Sequence, residues 1–498
     1  MLITAGPGSG KTTVLTKRIA YLIKEKNIPA KNCLAVTFTR KAAQELKDRL
    51  SVLLDEQQAQ TISIHTFHSL CFSILKENYT QAGLPQDFRV ITEEEKALYN
   101  NDIPDNLLAF DDLIELTIKL FENHPEILKE YQTKFKYISV DEYQDIDENQ
   151  YKLIKMLATN DTNMCIIGDP NQAIYGFRGG DSKFFNNFTQ DYPDVETVNL
   201  KNNYRSAKDI VNASNQMIES FNTISKYSAI NNKITIHTAP TEKSEAEFIV
   251  STIENLIGGH NLFSIDSDRT DGQSGDFSFG DIAILYRTSL QLKPIEEALT
   301  RSGMPFVKLS DDLLCTKKAI RNLLKNLNDS TSIAEQIKNL KNDFKEEIDS
   351  FIWEYLEKLA VECSSKNDFI HEVSLLKESD TIDSRADRIS LMTLHSSKGL
   401  EFNCVFIAGL ENGLIPLYKA ETEKELEEEK RLLYVGMTRA KQLLFLTRAK
   451  KRHIFGRMEN REISPFLEKI ESDLLQLTNF DKEYKKTEKD NINQLSLF

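Results

Sequence analysis

The sequence predicts an α/β protein built on parallel sheets, and three observations carry that expectation. Short apolar runs of strand length alternate with helical stretches along most of the 498 residues. The first of these runs ends in a glycine-rich turn that opens directly into a helix, the order strand, turn, helix. The chain is also too long for one ordinary hydrophobic core, so two core domains with insertions are expected.

At the N-terminus, Met1 to Thr4 reads as the end of a strand. Ala5, Gly6, Pro7, Gly8, Ser9, Gly10, Lys11 and Thr12 then fit a phosphate-binding loop, with Ala5 where the strict pattern has glycine. Glycines let the backbone turn tightly, so that several N–H groups converge on one anion. Lys11 adds a point charge for the β- and γ-phosphates, and the Thr12 hydroxyl suits Mg²⁺. Leu15, Ile19, Leu22 and Ile23 recur at helical spacing behind the loop, and a helix N-terminus favours an anion.

Further strands are expected at 33–38, 137–140, 164–168 and 196–200 in the first half. In the second half they are expected at 281–286, 389–394, 404–410 and 443–447. Residues 76–130 and roughly 318–388 break the rhythm and read as helical insertions, and 264–281 has the composition of a loop. The domain expectation is therefore 1–75 with 131–222, an insertion at 76–130, a second domain at 223–317 with 389–470, and an insertion at 318–388. Residues 471–498 are expected to form a flexible tail.

The net charge of −14 argues against a protein that coats nucleic acid through its overall charge, though it leaves room for a local basic groove. The acidic stretch 421–430 reads as a solvated helix face. The six cysteines are scattered without a C-x-x-C pair, which suits buried thiols in a reducing cytoplasm. No apolar run is long enough to span a bilayer and no secretory signal is apparent.

After the strand at 137–140 comes "DEYQD". Asp141 sits where such folds hold Mg²⁺, and Glu142 beside it suits a proton acceptor for attacking water. One strand later, "GDPNQAIYGFRGGD" supplies Gln172, a neutral side chain able to sense a γ-phosphate, with Phe177 and Arg178 in a glycine-bounded turn.

With these residues in place the chain resembles the UvrD/Rep/PcrA-like superfamily 1 DNA helicases. The ordered motifs are "AGPGSGKT", "LAVTFTRKAA", "IHTFHSL", "DEYQD", "GDPNQAIYGFRG", "NYRS", "LMTLHSSKGLEF" and "YVGMTRAK", from the first residues to about residue 445. The resemblance implies two RecA-like parallel-sheet P-loop domains with ATP in the cleft between them. It implies phosphate and Mg²⁺ binding by Lys11 and Thr12, Mg²⁺ binding by Asp141, and Glu142 as base. It further implies Gln172 as γ-phosphate reporter, Tyr204 stacked on adenine, Arg205 on the γ-phosphate, Glu401 on the ribose, and Arg439 as an arginine finger.

For single-stranded DNA it implies a track of Phe38, Phe67, His68 and Phe177, with Arg40, Arg178, Arg287 and His395 nearby. Phe67 also precedes an apolar helical run and fits a core position equally well. The activity implied is ATP-driven 3′-to-5′ movement on single strands and at duplex junctions, in bacterial repair or replication. The alternatives are a remodeller of protein–DNA complexes and a weakened, clamp-recruited adaptor.

Two departures stand out. Relatives place an adenine-reading glutamine ahead of the first strand, and this sequence begins almost at that strand, so the expectation is either a true start further upstream or adenine reading by Tyr204 alone, with weak ATP binding unless the chain is extended. Both helical insertions are short, which favours translocation over processive unwinding. At the other end, Gln494, Leu495, Leu497 and Phe498 of "QLSLF" resemble the bacterial sliding-clamp-binding pentapeptide.

Overall fold

The computed structural model describes residues 1–91, 104, 106–110, 112–176, 179–180, 183–220, 223–227, 232–258, 277–310, 313–328, 331–344, 346–363, 365–374, 376, 378–381, 387–454 and 456–479. Most of the expected loop at 264–281, Phe177, Arg178 and the QLSLF residues lie outside these. The chain divides into two compact units. The first comprises Met1–Ala5, Gly10–Asn199 and Asp311–Asp383; the second comprises Gly6–Ser9, Leu200–Ser310 and Ser384–Phe498.

The first unit is built on strands β1 (Leu2–Ala5), β2 (Cys33–Thr37), β3 (Ser63–Thr66), β4 (Arg89–Ile91), β5 (Leu107–Ala109), β6 (Tyr137–Val140), β7 (Asn163–Gly168) and β8 (Thr197–Leu200). Its six-stranded sheet runs in the order β3-β2-β6-β7-β1-β8, and β4 pairs with β5 in a separate parallel ribbon. The pairs β2–β3, β2–β6, β6–β7 and β1–β7 are parallel. Burial along almost their whole length explains why β2 and β7 read as continuous apolar runs rather than alternating ones. Parallel order also gathers the carboxyl ends of β6, β7 and β1 along one edge, where ligands of open α/β sheets bind.

The segment expected as an insertion at 318–388 has a core of its own around Trp353, Leu356, Phe369 and Val373. It clusters with the first unit. Its helix Lys366–Ser374 packs on β4, and Asp368 meets Lys76 at 2.8 Å.

The second unit carries β9 (Asn202–Asn203), β10 (Ile224–Ser225), β11 (Ile234–Thr241), β12 (Ile282–Tyr286), β13 (Phe306–Leu309), β14 (Ile389–Thr393), β15 (Phe402–Ile407), β16 (Ala440–Ile454), β17 (Arg457–Asn460) and β18 (Leu475–Asn479). Its large sheet runs β13-β14-β12-β15-β16-β11-β18, all parallel, and β17 returns antiparallel on β16. Ile284, Leu391, Phe406 and Ile249 are among the residues of its core.

Around β16 lies an ion network in which no side chain is more than 2% exposed. Arg452 binds Glu411 through Nη2 at 2.7 Å and Nε at 3.0 Å, and also binds Glu245. Glu245 accepts from the Gly409 N–H at 2.8 Å and the Thr447 hydroxyl at 2.7 Å, and Glu411 accepts from the Ala449 N–H at 2.7 Å. One arginine thus ties the turn after β15 to β16 and to the helix Glu242–Leu256. Removing it leaves two carboxylates uncompensated. Arg452→Leu is expected to cost about 3–5 kcal/mol, read as a lowered thermal midpoint for the second unit; an unchanged midpoint would contradict this account.

Candidate nucleotide-binding site

In the first unit, β1 ends at Ala5, and the helix Lys11–Lys24 starts after Gly10, whose φ of 84° requires the left-handed region that glycine adopts freely. Lys11 Nζ is buried and finds no hydrogen-bond acceptor among the described residues. Its counter-charge is Glu142 at 3.4 Å. A buried ammonium without an acceptor costs free energy, and an anion supplied to it removes that cost.

Asp141 follows the end of β6 and is 4% exposed. Burial, and then the Glu142 charge, push its carboxyl up to about 7, with Lys11 pulling the other way. Glu142 holds a φ of 49°, unusual for a residue with a Cβ and costing about 1–3 kcal/mol. That backbone turn places the two carboxylates side by side, and the Glu142 N–H donates to Asp141 Oδ1 at 2.9 Å. Beyond β7, Gln172 donates from Nε2 to Asp169 Oδ2 at 2.7 Å, both residues buried. Burial raises the Asp169 pKa, with Lys11 again opposing.

Among the described residues, no group of three or more His, Cys, Asp or Glu side chains could hold a metal by itself. Thr12 and Asp141 offer one hydroxyl and one carboxylate. That small donor set suits Mg²⁺ that takes its other oxygens from phosphate and water.

The second unit contains the rest of the loop. Ser9 caps it locally, its hydroxyl donating to Gly6 O at 2.7 Å. Asn203, which is 1% exposed, donates to Pro7 O at 2.8 Å and accepts from the Arg205 and Ser206 N–H groups at 2.8 and 2.9 Å. The Tyr204 N–H donates to Gly8 O at 2.8 Å. Gly6–Ser9 and the "NYRS" stretch are therefore hydrogen-bonded together within the second unit. Tyr204 itself is 60% exposed.

Arg205 and Lys441 each bind one oxygen of Glu401, both at 2.7 Å. Burial raises the Glu401 pKa, but Arg205 and Lys441 outweigh it and hold the group below its ordinary value. Arg439 is 2% exposed, with its guanidinium donating to Val435 O at 2.9 Å, Leu400 O at 3.1 Å and Thr438 Oγ1 at 3.2 Å.

The residues expected along the DNA track are differently placed. Phe67 is 3% exposed and belongs to the first-unit core, the second of the two roles its setting allowed. His68 stacks on Phe110 at 3.8 Å, and burial lowers its pKa to about 4, so it is neutral at pH 7. Phe38 stacks on Tyr175 at 5.3 Å and keeps partial exposure. Arg40 is bound by the Glu372 carboxylate and by Glu372 O at 2.7 Å. Arg287 pairs with Glu429 at 2.6 Å, so Glu429 is not part of the solvated face expected at 421–430. Glu429 is instead 7% exposed and also accepts from the Leu417 N–H at 3.1 Å. His395 lies half-buried in the turn after β14. Asn203 and Lys441 were not singled out from the sequence; the asparagine preceding Tyr204 and the lysine following "TRA" were their only signals.

Comparison with known proteins follows the same outline. The UvrD/REP helicase N-terminal domain family matches residues 1–105 and 96–193, and the UvrD-like helicase C-terminal domain family matches 198–359 and 325–451. The chain is 32% identical to the ATP-dependent DNA helicase PcrA of Staphylococcus epidermidis, over 95% of this chain and 85% of that one. It is 31% identical to the protein of the same name from Staphylococcus aureus, over 96% and 85%. A solved C-terminal domain of a possible DNA helicase from a Lactobacillus aligns with a TM-score of 0.27 at 13% identity, covering 55% of this chain and 98% of that one, too loosely to bear on the fold.

Gly8 has a φ of 67°, and a Cβ there would stand 2.5 Å from Arg205 Cβ. Gly8→Ala is expected to weaken binding of a fluorescent ATP analogue by roughly tenfold or more, with helical content unchanged by circular dichroism. Wild-type affinity in this variant would show that the loop does not need its contact with Arg205.

Proposed function

Because the chain belongs to the UvrD-like helicase family, we propose that it is an ATP-dependent DNA helicase that moves 3′-to-5′ on single-stranded DNA. The observation that carries this reading is the buried Lys11 ammonium, without a hydrogen-bond acceptor among the described residues, beside Asp141 and Glu142.

In this reading Lys11 holds the β- and γ-phosphates, and Glu142 takes the proton of the attacking water. Thr12 and Asp141 would hold Mg²⁺, which supplies charge neutralisation on the phosphates. Tyr204 offers its exposed ring to the base. Arg205 exchanges the Glu401 carboxylate for phosphate oxygens, and Glu401, still held by Lys441, is left to accept from a ribose hydroxyl. Arg439 leaves its carbonyl cage to meet the transferring phosphoryl group, a role worth ~10³–10⁵ in rate. Phe38, Arg40, His68, Phe177, Arg178, Arg287 and His395 remain the proposed DNA contacts, and Phe67 is assigned to packing. Arg40 and Arg287 would exchange Glu372 and Glu429 for DNA phosphates.

Repair or replication is the proposed setting, with the last five residues docking on a sliding clamp. Deleting them is expected to abolish clamp binding in a pull-down and to leave ATP hydrolysis intact; retained clamp binding would remove the tail from the proposal.

The central test is ATP hydrolysis by the full chain with and without single-stranded DNA. Wild type is expected to be stimulated by DNA, and Glu142→Gln to lose at least ~10²-fold in kcat while still binding nucleotide. Hydrolysis indifferent to DNA would sink the helicase reading. Strand displacement on a 3′-tailed duplex separates unwinding from translocation alone, and a 5′-tailed duplex tests the polarity.

A further inference from the structure

Gln144, the fourth residue of "DEYQD", is fully buried in the short turn Tyr143–Asp145. Its amide nitrogen donates to the Glu142 carboxylate and, at 3.3 Å, to Asp145 Oδ2. Its oxygen accepts the Asp169 N–H at 2.9 Å. Only one orientation of the amide satisfies these partners. Rotated by half a turn, the oxygen would face two carboxylates and the NH₂ would face another N–H.

The same Asp169 holds Gln172 by its carboxylate and is itself held by Gln144 at its backbone. A continuous chain therefore runs Glu142, Gln144, Asp169, Gln172, with all four residues in the first unit. Room for it is made by Gly168, where a Cβ would collide with Gln144 Oε1.

We propose that Gln144 is a positioning residue for hydrolysis: its amide fixes the Glu142 carboxylate and ties it to the strand end that carries Gln172. The inference rests on the reading of Glu142 as the proton acceptor. The alternative, that Gln144 serves only to satisfy buried polar groups, predicts different kinetics. A purely structural glutamine supports the fold and hence nucleotide binding and turnover together. A positioning glutamine supports turnover and leaves binding alone.

The test is steady-state ATP hydrolysis by the full chain with single-stranded DNA, together with equilibrium binding of a fluorescent ATP analogue. The proteins are wild type, Gln144→Leu, Gln172→Ala, the double variant and Gly168→Ala. Gln144→Leu is expected to lower kcat on the order of 10²-fold, with KM and analogue affinity within about threefold of wild type. The double variant is expected to lose much less than the product of the two single losses, as residues acting through one chain do. Gly168→Ala leaves the Gln144 amide in place chemically but pushes on it, and also on the Phe185 ring, which a Cβ there would meet at 2.8 Å. It is expected to show the same selective loss of kcat, and it decides the matter should Gln144→Leu fail to fold.

Unchanged kcat in Gln144→Leu or Gly168→Ala, equal losses in kcat and affinity, or fully multiplicative losses in the double variant would each overturn the assignment. A wild-type protein without ATP hydrolysis would instead overturn the functional reading on which the assignment rests. The two failures are thus distinguishable.

Discussion

Buried charge at the ends of parallel strands is the constraint on which the first unit's site depends. Asp141, Glu142 and Asp169 stand just past β6 and β7, and the described cation facing them is Lys11. Burial makes Asp141 and Asp169 resist ionisation, and the Glu142 charge beside them adds to that resistance. A divalent cation reverses this balance, because its charge favours the carboxylate form that burial opposes. The ionisation of Asp141 and Asp169 thus depends on the charges placed beside them. A surface turn of the same composition, solvated on all sides, would ionise regardless.

Guanidinium groups in the second unit obey a complementary rule. Arg205 is held by a carboxylate that Lys441 shares, Arg287 by Glu429, and Arg439 by backbone carbonyls with a threonine hydroxyl. Arg452 differs from these three, because it is enclosed by two carboxylates whose remaining oxygen capacity is taken by backbone N–H groups and a hydroxyl. Breaking the Arg452 set exposes uncompensated charge in the core, so it acts as a fixed girder. Arg205 and Glu401 are partly exposed, and each can accept a new partner at modest cost.

What could be read from sequence was whatever is local. The phosphate loop, the acidic pair after β6 and the buried strands are each set by neighbours in the chain, and periodicity or motif spacing exposes them. Edge and polar strands such as β3, with "SIHT", and β11, with "ITIHTAPT", carry too few apolar residues to announce themselves. Long-range pairing was less legible still. Glu429 lies in an acidic run that looks solvated, and only the fold brings Arg287 to it across 142 positions. The tie between Arg40 and Glu372 spans 332 positions, and nothing in either local stretch points to the other. Phe67 was ambiguous because a helix start is equally compatible with a buried ring and an offered one.

The two glycines Gly8 and Gly168 show why motif spelling and site geometry coincide here. Each leaves space for a particular side chain: Arg205 beside Gly8, and the Gln144 amide across Gly168. Neither requirement is a property of the glycine's own segment. Gly168 ends β7, yet what a side chain there would meet is a glutamine that follows β6, together with the ring of Phe185. Two motifs on adjacent strands are therefore coupled by volume as well as by hydrogen bonds. A larger residue at 168 and a shorter one at 144 would break the same link from opposite sides. It follows that Glu142 and Gln172 owe their placement to two residues that need never touch a phosphate.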